Sequence, residues 1–81
     1  MKYFAYVLAS EKDRKFYYGY TKDLEQRLKD HNRGKTRALI GRLPVKLLYF
    51  EECASKKEAK EKEKYFKSGI GREYIKRKIG A

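Results

Sequence analysis

Cysteine, histidine and proline each occur once in this 81-residue chain, and tryptophan does not occur at all. The single cysteine, Cys53, excludes an intrachain disulfide and fits a reducing compartment. One cysteine and one histidine also exclude a zinc finger and any multi-histidine nuclease site. No apolar run approaches the roughly 20 residues of a membrane span. The N-terminal residues enter a strand-like pattern without a signal-peptide core, so the expectation is a cytoplasmic protein with no membrane role. Phosphate-loop and dinucleotide fingerprints are missing, and no carboxylate cluster suggests a two-metal site. Negative charge is scarce: 11 acidic residues face 22 basic ones, a net charge of +11. Such a field on so small a body favours a polyanion, nucleic acid first. The basic helices lack the broad apolar face of a membrane-surface binder. The length leaves room for one domain, read as residues 1–81, with substrate on a shallow face.

What is present falls into alternating elements. Tyr3–Ala9 is apolar on both alternating faces, as expected of a strand covered on both sides. A polar turn leads to "FYYGY", an aromatic second strand, and so short a connection predicts an antiparallel hairpin. "TKDLEQRLKDHNRG" reads as a helix with Thr21 as N-cap, Asp23 and Glu25 in the first turn and Gly34 beyond its end. Leu24 and Leu28 give it a narrow apolar stripe. "KTRALIGRLP" reads as a basic loop and "VKLLYFEE" as a third strand. Ser55 and Glu58 form a capping box for a helix to about Ser68. "GIG" is read as a break, before a final helix with Tyr74, Ile75 and Ile79 inward. The fold class is α+β: a three-stranded sheet flanked by helices, in the order β-β-α-β-α-α.

Several residues stand out against this frame. On a helical wheel at about 100° per residue, Ala59, Phe66 and, with less weight, Ile70 share a wedge. Glu63 falls about 40° from Ala59, on the same side, while Glu58 and Glu61 point to solvent. A carboxylate on an apolar stripe is costly unless paired or bound to a cation, and Glu63 at the stripe's edge, paired with a lysine, is an equally good reading. Arg27 and His31 share a helix face beside the leucine stripe. An arginine there suits a phosphate gaining charge, although a snorkelling surface arginine is the commoner outcome. Of the eight tyrosines, Tyr3, Tyr6, Tyr17, Tyr18, Tyr20 and Tyr49 fall on predicted strands, and most of these are expected to pack with their hydroxyls at the rim. Gly19, inside a strand, marks the close approach of another backbone or a ligand.

In this order the pieces resemble the GIY-YIG nuclease superfamily, particularly its small stand-alone members. "FAY" (Phe4-Ala5-Tyr6) matches the first signature in its tyrosine alone, and "YYG" (Tyr17-Tyr18-Gly19) matches the second at the usual spacing. The helix that follows is similar to the family's in Arg27 and His31, and "SKKEAKEKEKYFKSG" is similar in its glutamate, Glu63. Tyr20 stands where some relatives carry lysine. An asparagine found late in longer members has no counterpart here.

The resemblance implies an endonuclease hydrolysing phosphodiester bonds, in DNA ahead of RNA, with structure-selective repair or recombination as a setting. It implies one divalent ion, Mg²⁺ or Mn²⁺, held by Glu63, with Arg27 on the scissile phosphate. Tyr17 is the candidate general base and Tyr6 its neighbour. A free tyrosine has a pKa near 10 and a free histidine one near 6.5. His31 is therefore the rival, relaying a proton or contacting phosphate. Lys35, Arg37 and Arg42 in the basic loop, with Arg72, Lys76, Arg77 and Lys78 near the C-terminus, are candidates for backbone contacts. Target selection falls to this surface or to a protein partner. The alternatives are a non-catalytic nucleic-acid-binding module on the same scaffold, or a basic protein docking onto ribosomal RNA or another protein.

Overall fold

A computed structural model describes residues 2–80. β1 (Tyr3–Ser10) and β2 (Phe16–Thr21) form the expected antiparallel hairpin. β3 (Val45–Cys53) pairs antiparallel with the other side of β1, giving the order β2-β1-β3. The helices are α1 (Leu24–Asn32), α2 (Lys56–Lys67) and α3 (Gly69–Ile79). The architecture is the expected α+β, with element order β-β-α-β-α-α. None of the helices is long and apolar enough to cross a membrane.

β1 is apolar on both faces because it is the central strand and both faces are covered. Ala5 and Val7 meet Ala59 and Phe66 of α2 and Ile75 of α3 on one side. Tyr6 and Leu8 meet Leu39 and Val45 on the other, with Leu24 and Leu28 of α1 packed alongside. A register shift between Val7 and Leu8 lets Leu48 and Tyr49 both join the first cluster, while Leu47 returns to the second. Asn32, at the end of α1, pins that helix to β3. Its amide donates to the Val45 carbonyl at 3.0 Å, and its carbonyl accepts from the Val45 N–H at 2.8 Å.

Local boundaries depart from the sequence expectation for identifiable reasons. The N-cap of α1 is Asp23, not Thr21: its carboxylate accepts from the Gln26 N–H at 3.0 Å. Thr21 is still in β2, where its hydroxyl accepts from the Asp23 N–H at 3.2 Å. A carboxylate satisfies the orphan N–H and also meets the positive end of the helix, so it wins over the hydroxyl. Gly34 does adopt the left-handed conformation beyond the helix end, at φ 82°. The basic segment is not a plain loop. Arg37–Arg42 winds into a 3₁₀ helix, which brings Leu39 into the core at 1% exposure.

"GIG" does not break the last helical region; it opens α3. The break is Ser68 alone, whose hydroxyl donates to the Tyr65 carbonyl at 2.6 Å and accepts from the Gly71 N–H at 3.0 Å. Gly71 permits the tight packing, since a Cβ there would lie 1.7 Å from the Tyr65 carbonyl oxygen. The turn leaves Ile70 73% exposed, so it does not belong to the α2 stripe. Tyr74, Ile75 and Ile79 pack inward as expected. Ser55 caps α2 by accepting from the Glu58 N–H at 3.1 Å.

One polar cluster ties β3 to both C-terminal helices. Glu51 Oε2 accepts from Tyr49 at 2.5 Å and from Tyr74 at 2.6 Å, and Oε1 lies 2.8 Å from Lys62 Nζ. Burial opposes the charge of Glu51, but the bonds from Lys62, Tyr49 and Tyr74 outweigh it and pull its pKa down to about 2.

Candidate active site

Gly19 determines where the Tyr6 side chain can go. The two residues are partners across the β1–β2 ladder. A Cβ at position 19 would sit 2.4 Å from the Tyr6 hydroxyl and 2.5 Å from its Cζ. The missing side chain leaves a window over the edge strand, and the Tyr6 phenol fills it. The close approach expected at Gly19 is real, but the visitor is a side chain rather than a backbone or a ligand. Nor is Tyr6 a rim tyrosine, being only 2% exposed.

Beyond that window lies an open cleft of about 720 Å³. Tyr6, Tyr17, Gly19, Arg27 and Glu63 all line it, so residues from β1, β2, α1 and α2 meet there. Lys22, Lys56 and Lys67 complete a positive rim. The Glu63 side chain is 17% exposed, and its Oε2 pairs with Lys67 Nζ at 3.1 Å. Glu63 therefore has the lysine partner expected as the alternative to a bound cation.

His31 is not in the cleft but behind it, 1% exposed. Its Nε2 lies 2.9 Å from the Tyr6 hydroxyl, and its Nδ1 is hydrogen-bonded to the Thr36 hydroxyl. The Tyr17 ring meets it edge-on, 5.4 Å between centroids. Direct contact between His31 and a phosphate is excluded by this burial. Burial, then the nearby Arg27 charge, lower its pKa against a weaker opposing pull from Asp30, so the ring is neutral at pH 7. A neutral imidazole donates from one nitrogen and accepts at the other. The chain Tyr6–His31–Thr36 thus has two self-consistent directions. In one, Tyr6 donates to His31 and offers only lone pairs to the cleft; in the other, His31 donates to Tyr6 and the phenol proton is free. Burial, with Tyr17 and Glu63 as nearby potential anions, pushes the Tyr6 pKa well up, against a smaller opposing effect of Arg27.

The expected phosphate contacts divide. Arg42, Arg72 and Lys76 converge on a neighbouring groove. Lys35 pairs with Asp30 at 3.6 Å, and Lys78 lies over the Tyr74 ring at 5.5 Å. Arg37 and Arg77 are exposed and line neither the cleft nor that groove. Lys56, Lys67 and Thr36 were not foreseen. Spacing would have found the two lysines, because positions seven before and four after Glu63 share its helix face. Thr36 carried no signal, since only the 3₁₀ helix brings it to His31.

A divalent ion fits one mode of binding here. Among the described residues no three His, Cys, Asp or Glu side chains gather, so there is no all-protein cage. A single carboxylate facing an open cleft suits a magnesium-like ion that keeps most of its shell from water and phosphate oxygens. It does not suit zinc.

Fold and cleft together define a small α+β domain that presents tyrosines, an arginine and one carboxylate at an open cleft with a basic rim. The model of the GIY-YIG catalytic domain matches residues 2–75, and the chain belongs to this nuclease family. It is similar to a UPF0213 protein of Bacillus licheniformis, 49% identical over 69 residues, covering 80% of this chain and 67% of the relative. A UPF0213 protein of Clostridium perfringens is 45% identical over 65 residues, covering 79% of this chain and 69% of its own. The solution NMR structure of a UPF0213 protein from Bacillus halodurans superposes with a TM-score of 0.55 at 33% identity, covering 93% of this chain and 82% of that one.

Proposed function

We propose that the protein is a metal-dependent endonuclease that hydrolyses phosphodiester bonds, in DNA ahead of RNA, at the cleft bounded by β2, α1 and α2. The observation that carries this reading is that Tyr17, Arg27 and Glu63, from three separate elements, line one open cleft in a chain of a nuclease family.

In this reading Tyr17 takes a proton from the attacking water. Two adjacent phenols do not both ionise readily. Tyr6, whose anion is disfavoured by burial and by Tyr17, keeps its proton and orients the water. That leaves Tyr17 as the base. Arg27 faces the phosphate as it gains charge. His31 acts through Tyr6, steering its hydroxyl or passing a proton toward Thr36. Glu63 would hold Mg²⁺ or Mn²⁺, with Lys67, half exposed, moving aside. The ion would supply Lewis acidity and stabilise the leaving oxygen.

The test is cleavage of labelled DNA structures and RNA by the wild type, Tyr17→Phe and Glu63→Gln, with and without Mg²⁺ or Mn²⁺. Metal-dependent cleavage by the wild type, lowered about 100-fold or more in each variant, is the expected result. Retained binding with no cleavage of any substrate would overturn it in favour of a non-catalytic binding module.

A further inference from the structure

Beside the cleft runs a second groove of about 380 Å³. Its charged lining is wholly basic: Arg14 and Lys15 from the hairpin turn, Arg42 from the 3₁₀ helix, Arg72 and Lys76 from α3. Arg42 is partly neutralised by Asp13 at 3.6 Å. The other four take part in no ion pair among the described residues. The floor is aromatic. Phe16 and Tyr18 are half-buried, meet edge-to-face at 6.4 Å, and line both this groove and the cleft. The two depressions are therefore continuous along the edge strand β2.

The groove is held open by bonds that the cleft does not use. The buried Ser10 hydroxyl donates to the Arg42 carbonyl at 2.6 Å, joining the 3₁₀ helix to the hairpin turn. The Glu11 N–H donates to the Pro44 carbonyl at 2.9 Å, a second tie between the same segments. Arg14 sits in the left-handed region at φ 59°, a conformation that costs a non-glycine residue energy. That backbone places consecutive cations, Arg14 and Lys15, at the groove.

Cations around a ring-lined floor match a nucleotide: phosphates on the walls, a base against the rings. A base paired inside a duplex has no free face to offer, so the match is to an unpaired strand. We propose that this groove is a subsite for one or two unpaired nucleotides adjoining the scissile bond, with a base on Phe16 and Tyr18 and phosphates on Arg14, Lys15, Arg72 and Lys76. The preferred substrate is then single-stranded or carries a single-stranded flank at the cut. The inference rests on the nuclease reading for its orientation toward the cleft, but not for the binding itself.

Fluorescence anisotropy in EDTA, where no cleavage occurs, tests it with labelled strands of one sequence: single-stranded DNA, the matching RNA, an abasic DNA strand of equal charge, and the DNA duplex. The abasic strand and the duplex should each bind at least about tenfold more weakly than the normal strand. Running DNA beside RNA identifies which of them supplies the chemistry. Arg72→Glu with Lys76→Glu, both at exposed positions, should lower single-strand affinity at least tenfold and reduce the salt slope by about 1.4. Equal affinity for normal and abasic strands, or for single strand and duplex, would overturn the subsite. An unchanged affinity in the double variant, with circular dichroism confirming its fold, would do the same. Loss of cleavage with these binding results intact would instead count against the nuclease reading alone.

Discussion

A methyl group at position 19 has nowhere to go, because the Tyr6 hydroxyl and Cζ lie within 2.5 Å of it. The obstructing atoms are the far end of a side chain, but one that is 2% exposed and bonded to His31 at 2.9 Å. Gly19→Ala must therefore displace Tyr6 and break that bond. The expected cost is about 1–3 kcal/mol of overpacking, with cleavage lowered at least about tenfold. A double-mutant cycle checks the cause: in a Tyr6→Ala background the alanine at 19 should cost little, because the obstruction has gone. An equal cost in both backgrounds, measured by urea unfolding, would refute this account of Gly19. At this scale the sequence was informative wherever chemistry follows periodicity. Helical spacing put Glu63 on the inner side of α2, and spacing also put Arg27 and His31 on one face. It could not separate their depths, since both lie beside the same leucine stripe. Arg27 reaches the cleft while His31 is 1% exposed, because the hydroxyls of Tyr6 and Thr36 give its ring partners inside the core.

The joints between elements were less legible than the elements. Strand and helix order follows from patterning, but the cap at Asp23, the 3₁₀ helix over Leu39 and the single-residue break at Ser68 depend on tertiary partners. The Glu51 cluster is the clearest of these joints, since β3, α2 and α3 meet at one carboxylate. It gives a pH prediction. The Glu51 pKa lies at about 2 in the folded protein and near 4.3 in an unfolded chain. A depressed carboxylate contributes stability above the unfolded value and loses it as pH falls through the folded value. The contribution should thus be complete above about pH 5 and vanish progressively toward pH 2. Glu51→Gln should cost about 1–3 kcal/mol at pH 7, and the difference from wild type should shrink across that acid window. Urea unfolding at pH 7, 4, 3 and 2.5 measures it. A gap that stays constant with pH would show that Glu51 acts by packing rather than by charge.

For the whole molecule, charge and stability pull against each other. A net charge of +11 is carried on a body of only 30 × 29 × 18 Å. Repulsion is felt only between neighbouring like charges at physiological salt, where the Debye length is about 8 Å, but across the whole body at about 0.01 M salt, where it is about 30 Å. The folded state confines this repulsion and the unfolded chain relaxes it. Added sodium chloride screens the repulsion, so the melting temperature should rise with salt. A gain of about 1 kcal/mol corresponds to about 4–8 °C for a domain of this size. Nucleic-acid affinity must move the other way, because binding releases counterions and salt opposes that release. With Arg14, Lys15, Arg72 and Lys76 of the groove on phosphates, at a slope of about 0.7 each, affinity for a single strand should fall about fiftyfold between 50 and 200 mM salt. Thermal melts and anisotropy titrations over the same salt series read both effects. If the excess charge were only a solubilising coat, with no face organised to receive a polyanion, the melting temperature would still rise but the affinity would start weak and change little. The steep opposite slopes are what a charge pattern shaped for a nucleic-acid ligand requires, since the repulsion tolerated in the free protein is the attraction used in the complex.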